Sequence, residues 1–244
     1  MPDHHWLILR LEAPLLAFGG VAIDHMGATR DFPAASMLTG FLANALGWRR
    51  TEWEAHQALQ DRLIFAASWE RESGFGVLTD TQNAQLEKND RGWTTWGEPE
   101  GRNGASYDAP HRRLRDYHAD ASMILALRLV PPNNEPSLDM LAAKLDRPAR
   151  PLFIGRKSCL PSAPVRQKHF VMAPTAYKAL QKVPRQEGNP ERMRAFWPLG
   201  EGPSEGALVH RIIDLPDLRN WRTGLHGGTR KIVEGVLVPH TVGA

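Results

Sequence analysis

The densest group of side chains that could bind or cleave a polyanion lies in residues 111–121, HRRLRDYHADA. An arginine can hold a phosphate with two donors or lie flat on a nucleobase. The alternative is a solvated surface on which these arginines pair with Asp116 and Asp120. The sequence leaves both interpretations open, and the candidate RNA-binding residues of this segment are His111, Arg112, Arg113 and Arg115.

The same segment could also supply acid-base chemistry. Metal-independent cleavage of RNA needs a general base near a 2′-hydroxyl, a proton donor for the leaving oxygen and a cation for the developing charge. Nothing in the sequence shows that such groups converge, and a histidine among arginines can equally be a binding residue. A metal-independent endoribonuclease is therefore the alternative function, with the candidates His111, Tyr117, His118 and Lys157.

Other function classes fit this sequence less well. The ten histidines show no HExxH pattern and no paired acidic ligand spacing, which argues against a metal nuclease. No helix-turn-helix pattern is recognisable, which argues against a sequence-reading DNA-binding module. Cys159 is the single cysteine, and we expect it to be a small buried apolar residue rather than a nucleophile. We therefore expect no metal and no cofactor.

The charge distribution favours a polyanion as the partner. The formal net charge is only +3, yet residues 147–194 carry 11 Lys/Arg and 2 Asp/Glu, whereas residues 1–146 carry 14 and 20. Such a concentration is typical of a nucleic-acid-binding protein, although a charged run can also be a solvated face. The candidate RNA-binding residues of the basic segment are Arg156, Lys157, Arg166, Lys168 and His169.

Residues 29–48, TRDFPAASMLTGFLANALGW, predict the helix around which the chain is organised. An extended charged stretch turns at Pro33 into a helix with one apolar stripe, one small polar face and a glycine C-cap. The first-turn N–H groups, together with Arg30, form a place where a phosphate could sit. Ser36 and Thr39 on the small face are further candidate RNA-binding residues. The alternative is an ordinary core helix.

An insertion is predicted at residues 74–110, where the core pattern disappears. Gly, Trp, Asn and charged residues follow one another there without a sustained apolar period. Aromatic and basic side chains on such an arm can stack a base and hold its phosphate. Alternatively, the tryptophans pack on the body of the protein. The candidate RNA-binding residues of the insertion are Lys88, Arg91, Trp93, Trp96 and Arg102.

The apolar periodicity predicts an α+β fold. The order strand, helix, strand, insertion, strand, helix, strand is the ferredoxin-like arrangement, which many unrelated functions share. We expect Pro14 to end the first strand, and two further strands to follow at the C-terminus. The predicted strands are 7–11, 63–70, 122–130, 151–154, 206–215 and 230–239, and the predicted helices are 33–47, 51–60 and one that begins at Pro136.

Length and hydropathy indicate a soluble cytoplasmic protein. A chain of 244 residues can bury a full core. No apolar run approaches the roughly 20 residues that a membrane helix needs, and the N-terminus lacks the features of a signal peptide. We expect one domain over residues 1–166, with the insertion inside it. Residues 167–244, a basic segment followed by strands, would pack on the same domain.

Four stretches, taken in order, carry a resemblance to a known family. They are LILRLEAPLLAFG, TRDFPAASMLTGFLANALG, LRDYHADASMILAL and PLFIGRKSCLPSAPV. Together they resemble the CasD-type (Cas family five) subunits of type I-E CRISPR Cascade complexes, which belong to the RAMP superfamily of RNA-binding proteins. The similarity covers most of residues 6–165. It is specific in combination, because the three motifs strand-APL-FG, R-FP-helix and GRKSC rarely occur together.

The resemblance implies a ferredoxin-like (RRM/RAMP) palm with an inserted β-hairpin thumb at 74–110 and a C-terminal β extension. It also implies a non-catalytic role in antiviral defence. Such a subunit grips the 5′ handle of the CRISPR RNA, caps the complex beside the large subunit and the adjacent backbone subunit, and meets target DNA through the assembled complex. The residues that it places facing RNA are Arg30 with the first helical turn, Arg115, Arg156 and Lys157.

Overall fold

The computed structural model describes residues 2–20, 22–74, 76–85, 92–93, 99–100, 110–184 and 191–239. These ranges form a large sheet with helices on both of its faces, so the predicted α+β class is confirmed. The strands are β1 (His4–Leu16), β2 (Ala22–Ile23), β3 (Met26–Gly27), β4 (Leu63–Arg71), β5 (Val77–Ala84), β6 (Gly92–Trp93), β7 (Pro99–Glu100), β8 (His111–Leu129), β9 (Val171–Ala173), β10 (Met193–Pro198), β11 (Val209–Arg219) and β12 (His226–Leu237). The helices are α1 (Ala35–Leu46), α2 (Trp53–Arg62), α3 (Leu138–Asp146) and α4 (Ala176–Gln181).

Three long strands form the centre of the sheet, in the order β4, β8, β1, and β8 is antiparallel to both neighbours. All three were expected, but β1 and β8 are longer than the sequence predicts. The predicted end of the first strand at Pro14 is wrong, since Leu15 and Leu16 remain paired with β8. A proline removes only one N–H donor from the hydrogen bonds between two strands, and here the pairing with β8 continues after Pro14. β8 begins at 111 because its first half pairs with β5.

Each face of the sheet carries its own hydrophobic core, because successive strand residues point to opposite sides. Leu7, Leu9 and Leu11 of β1 contribute to the first core, which packs against α1, α2 and α3. Trp6 and Ile8 contribute to the second core, which packs against α4, β10 and β12. The alternation predicted from the sequence therefore holds, but both faces of the strand are buried.

The central helix α1 is confirmed. Gly47 is its C-cap with φ of 84°, and its N–H bonds to the carbonyl oxygens of the preceding turn. Leu38, Phe41 and Leu42 pack on the first core. The predicted helices α2 and α3 are also present. None of the four helices in the described ranges combines the length and apolar composition that crossing a membrane requires.

The predicted strand at 151–154 is wrong. This segment has no strand pairing; instead the Ile154 N–H bonds to the carbonyl oxygen of Cys159 and closes a turn. The open edge of β1 is lined by residues 162–167, whose backbone bonds to Ile8, Arg10 and Glu12, and then by β9. Because prolines interrupt residues 160–166, no alternation of apolar and polar residues predicts this edge.

The C-terminal strands predicted at 206–215 and 230–239 are confirmed as β11 and β12. β10 and α4 are short and were not predicted. β10 joins the C-terminal pair to the central sheet by bonding with both β12 and β4. The C-terminal region is therefore continuous with the main sheet.

The insertion begins with β5, which pairs with β8 from Val77 opposite His118 to Ala84 opposite His111. A separate pair, β6 with β7, follows. Residues 72–74, 76–85 and 110 are all exposed or half-buried. The division into domains and the thumb assignment stay predictions.

Candidate nucleic-acid interface

A cavity of about 320 Å³ lies between the small face of α1 and the end of β11. We call it the α1 groove. One wall is the exposed side of α1, where glycine and small polar residues leave room. The opposite wall carries an aromatic ring and a guanidinium group, and the turn after residue 153 closes one end. The residues that matter below are Ser36, Gly40, Asn44, Arg156, Arg219 and Trp221.

Trp221 is fixed in the wall of the α1 groove by α2. Its indole N–H donates to Gln60 Oε1 at 3.1 Å, and its backbone N–H donates to the side-chain oxygen of Gln57 at 3.2 Å. The ring lies 4.6 Å from His56, centroid to centroid. The Arg219 guanidinium stands 5.2 Å from the Trp221 ring centroid. Arg219 and Trp221 therefore form a cation–π pair whose ring is fixed in place, and such pairs can stack a nucleobase.

Sequence reasoning missed Arg219 and Trp221. The signal was present in RNWR, which places a tryptophan between two arginines just after β11. It was overlooked because this region has no net charge, with five Lys/Arg and five Asp/Glu over 195–244. Gly40 faces Trp221 across the groove, and a Cβ at this position would lie 3.6 Å from the ring, in ordinary van der Waals contact.

Arg156 lines the α1 groove, as predicted, but part of its guanidinium is already used. It donates to the carbonyl oxygens of Asp116 at 2.8 Å and Gly27 at 2.6 Å, and it stacks 4.7 Å from the Tyr117 ring centroid. Gly155 has φ of +89°, and a Cβ there would lie 1.6 Å from the Ala17 carbonyl oxygen. Only glycine fits, so the turn fixes Arg156 at the groove. Lys157 is exposed beside it.

The predicted phosphate site at the N-terminus of α1 is wrong. The Ala35 N–H donates to Asp217 Oδ2 at 2.8 Å, so a carboxylate from β11 already occupies the helix end. Arg230 pairs with this fully buried carboxylate at 2.7 Å. Arg30 donates to the carbonyl oxygen of Pro216 at 3.0 Å. The Asp217 carboxylate therefore takes the position at this helix end that a phosphate would need.

The two predicted RNA-binding residues on α1 differ in their exposure. Ser36 is half-buried and lines the groove. Thr39 is fully buried, and its hydroxyl donates to the carbonyl oxygen of Ala35 at 2.8 Å, so it cannot contact RNA. The sequence therefore predicts a wider polar face on α1 than the structure has. A threonine can be buried in a helix because its hydroxyl can donate to a carbonyl oxygen of the same helix.

The predicted arginines of β8 are not paired with their neighbouring aspartates. Arg115 donates to the carbonyl oxygens of His25 and Leu114. Asp116 accepts a hydrogen bond from Thr79, and Asp120 pairs with Arg71. The two remaining arginines are exposed and, being adjacent in a strand, point to opposite faces. They are Arg112 and Arg113, and His111 precedes them as the first residue of β8.

His118 packs in the core at the edge of a cavity of about 160 Å³, which it lines with Trp69 and Arg194. It is 6% exposed and lies between the rings of Phe18 and Trp69, at 5.5 and 5.0 Å. Its Nε2 atom is 2.7 Å from the carbonyl oxygen of Arg30. Tyr117 is also buried. The candidates for acid-base catalysis are therefore not gathered in an open cleft.

The basic segment does not form one surface. Arg166 makes a two-point ion pair with Asp146, at 2.7 and 2.6 Å. This hydrogen bonding holds the pKa of Asp146 below its usual value. Arg194 lies near Asp31 and Glu72, both at 3.4 Å. Near the edge of β1 that is remote from β8, two predicted residues are exposed: Lys168 and His169.

Four predicted residues of the insertion lie outside the described residues: Lys88, Arg91, Trp96 and Arg102. Trp93 is placed in β6. Cys159 is buried, as predicted, and burial raises the pKa of its thiol. Within the described ranges, His, Cys, Asp and Glu side chains nowhere gather into a set of three that could hold a metal ion.

The fold and the α1 groove together define an α+β protein with an aromatic and cationic cleft on one face of a large sheet. Residues 6–233 match the model of the family described as CRISPR-associated protein (Cas_Cas5), and the chain belongs to this family. The resemblance seen in the sequence is thereby confirmed.

Among individual relatives, the CRISPR system Cascade subunit CasD of Escherichia coli (strain K12) is 29% identical over 154 residues. This alignment covers 63% of the chain and 66% of the relative, which is just under two thirds of its length. A chain of a solved CRISPR RNA-guided surveillance complex has a TM-score of 0.67 at 18% identity, with coverage of 96% and 90%. A crystal structure of a Cas protein gives 0.61 at 23%, with coverage of 97% and 98%. These two structures show a shared fold.

Proposed function

We propose that the chain is a non-catalytic CRISPR RNA-binding subunit of a type I-E Cascade surveillance complex. In this role it grips the 5′ handle of the CRISPR RNA and caps the backbone beside the large subunit and the adjacent backbone subunit. It meets target DNA through the assembled complex, in the cytoplasm. The similarity to CasD supports this assignment.

The observation that carries the proposal is the Arg219–Trp221 pair in the wall of the α1 groove. A single-stranded RNA needs a stacking surface for its bases and donors for its phosphates, and the groove offers both. Ser36 faces the same space and can donate to a polar edge of a base, whereas the amide of Asn44 already donates to the carbonyl oxygen of Pro151 at 2.8 Å. Since Gln57 and Gln60 hold Trp221 in place, the site is formed before a ligand arrives.

The central topology supports the ferredoxin-like palm. β1 and β4 flank β8 with α1 and α2 between them in sequence, as in the split arrangement of that fold. The β5–β8 pair extends from the palm and is the base of the proposed thumb at 74–110. The exposed arginines of β8 lie on this arm, where they can follow the phosphates of a bound strand.

The burial of His118 favours a binding role over cleavage of RNA. A general base must reach the 2′-hydroxyl of the substrate, but this ring is buried between two aromatic rings and its Nε2 atom contacts the Arg30 carbonyl. We therefore assign His118 to the core and expect no cleavage of repeat RNA by the purified chain, with chelator or with magnesium.

The test measures binding of an RNA with the sequence of the CRISPR repeat 5′ handle by fluorescence anisotropy. Gly40→Leu fills the α1 groove and raises helix propensity, so the fold should persist while affinity falls about tenfold or more. Arg219→Ala should weaken binding by a similar factor through the lost charge and stacking. The matched control is Arg211→Ala, which removes the same charge from an exposed position earlier on β11.

Unchanged affinity in both groove variants, with each variant folded by circular dichroism, would place the RNA elsewhere on the protein. Site-specific cutting of the RNA by the wild-type chain that disappears in His118→Ala would replace the binding role with that of an endoribonuclease.

A further inference from the structure

A second cavity, of about 470 Å³, lies along the edge of β1 that is remote from β8. We call it the β1 cavity. Its floor is formed by Ile8, Val171 and Val183, which all belong to or pack against the second core. The α1 groove is lined by residues of the first core, such as Phe41. The two cavities therefore open on different sides of the central sheet and need different ligands, or distant parts of one ligand.

The β1 cavity has an apolar floor and a cationic rim. Lys168 and His169 are exposed on the rim, and neither forms an ion pair with any described residue. Of the described residues that line the cavity, none is acidic. Arg10 also lines it, but its charge is balanced by the buried carboxylate of Glu70 at 2.8 Å. The unbalanced charge at the opening is therefore positive.

The residues that line the β1 cavity also differ in type from those of a base-binding site. In the α1 groove, Phe41, Phe153 and Trp221 offer aromatic surfaces. The described lining of the β1 cavity contains no phenylalanine, tyrosine or tryptophan, and aliphatic and proline side chains make its floor. Single-stranded nucleic acid is held largely by stacking on aromatic rings, so this floor suits an aliphatic side chain better than a base.

We propose that the β1 cavity is the docking site for a short segment of a partner protein in which an apolar side chain is flanked by carboxylates. The apolar side chain packs against the floor and removes the exposed surfaces of Pro164, Val171 and Pro184 from water. The carboxylates meet Lys168 and His169 on the rim, which fixes the orientation of the segment. The inference rests on the proposed role as a subunit of a complex, and it identifies the chemistry of one subunit contact.

The test uses the chain purified together with its RNA and its partner subunits. Ala163, which is exposed and lines the β1 cavity, is replaced by the photo-crosslinker p-benzoylphenylalanine. Irradiation should join it to a partner protein, at a segment whose peptide sequence has several Asp or Glu residues close to the crosslinked position. Adding Lys168→Glu should reduce the crosslink about tenfold, because a carboxylate on the rim then faces the carboxylates of the segment. Lys144→Glu, an equal charge change on α3, should leave the yield unchanged.

A second crosslinker at Ser36 of the α1 groove distinguishes the two proposals. RNA captured at Ser36, with no protein captured at Ala163, would overturn the docking site and leave the RNA-binding role intact. An acidic segment captured at Ala163, with no RNA at Ser36, would support docking and contradict the RNA groove. Capture of RNA or of a basic segment at Ala163 would also overturn the docking site.

Discussion

At the scale of single residues, the arginines of this chain divide by what their guanidinium groups already bind. Arg62 donates to three backbone carbonyl oxygens in the loop before α3, and Arg150 donates to two at the end of α1. Such residues fix loops and have few donors left for a phosphate. Arg219 instead lies on an aromatic ring at an open groove. A count of basic residues therefore does not locate the binding surface. The partners that each guanidinium group already has are the better guide.

Asp217 is the residue on which the position of the groove wall depends. Its carboxylate has no exposed surface, accepts from the N–H of Ala35, and pairs with Arg230 through two donor atoms. Asp217→Ala should lower the free energy of unfolding by about 3 kcal/mol, since it leaves a buried guanidinium unpaired and uncaps α1. Urea denaturation followed by tryptophan fluorescence measures this change.

The control for that experiment is Asp214→Ala, three residues earlier on the same strand. Asp214 pairs with Lys231 at 2.9 Å, but both side chains are more than half exposed. An exposed pair contributes at most about 1 kcal/mol, so this variant should unfold close to the wild type. Equal destabilisation by the two substitutions would mean that the buried network has no special role.

At the scale of elements, apolar periodicity predicted the helices and strands that bury one regular face. The helix α1, the three central strands and the C-terminal pair were all predicted from apolar spacing, because each buries a regular set of side chains. The strand predicted at 151–154 failed because the same apolar residues close a turn. β10 and α4 were missed since six residues each are too few to establish a period.

The candidate site was predicted only in part, for a physical reason. Ser36 and Arg156 were identified, since helix spacing and a glycine turn fixed their places. Trp221 and Arg219 come from the far end of the chain, and their approach to α1 depends on Asp217 reaching the helix end across 182 residues of sequence. A contact of that separation leaves no local pattern in the sequence.

The insertion gives a test of the boundary between arm and palm. β5 and β8 are still paired at Ala84 and His111, so an Asn-Gly turn can join them in place of residues 85–110. Because β5, from which the arm extends, is exposed or half-buried along its whole length, the melting temperature should change by only a few degrees, roughly the effect of 1 kcal/mol or less. Differential scanning calorimetry measures it, and anisotropy with the handle RNA then reports the contribution of the arm to binding.

A large loss of melting temperature would contradict this boundary and assign core packing to the tryptophans of the insertion. Leu125→Ala serves as the reference for such a loss. Leu125 is fully buried at the centre of β8, and truncating it should cost about 2 to 5 kcal/mol.

At the scale of the whole molecule, the sheet separates two surfaces that the sequence presents as one basic segment. Arg156 and Lys157 lie at the α1 groove, whereas Lys178 projects from α4 on the opposite side of the sheet. Only two acidic residues occur over 147–194, but Asp146, Asp31 and Glu72 from outside the segment neutralise some of its charge. The folded surface thus has distinct cationic areas, and each can serve a different partner.

Salt dependence distinguishes these areas, because each phosphate neutralised by a cation releases counterions and steepens the plot of log affinity against log salt. For single-stranded nucleic acid the slope changes by roughly 0.7 per phosphate contact. Removing two exposed cations near the α1 groove, with Lys157→Ala and Arg222→Ala, should therefore flatten the slope for the handle RNA by about 1.4. The matched pair on the other side, Lys168→Ala with Lys178→Ala, should leave the slope of the wild type. If both pairs flatten it equally, the RNA follows the whole basic segment around the sheet, as its charge alone suggests, and the β1 cavity would then face nucleic acid rather than protein.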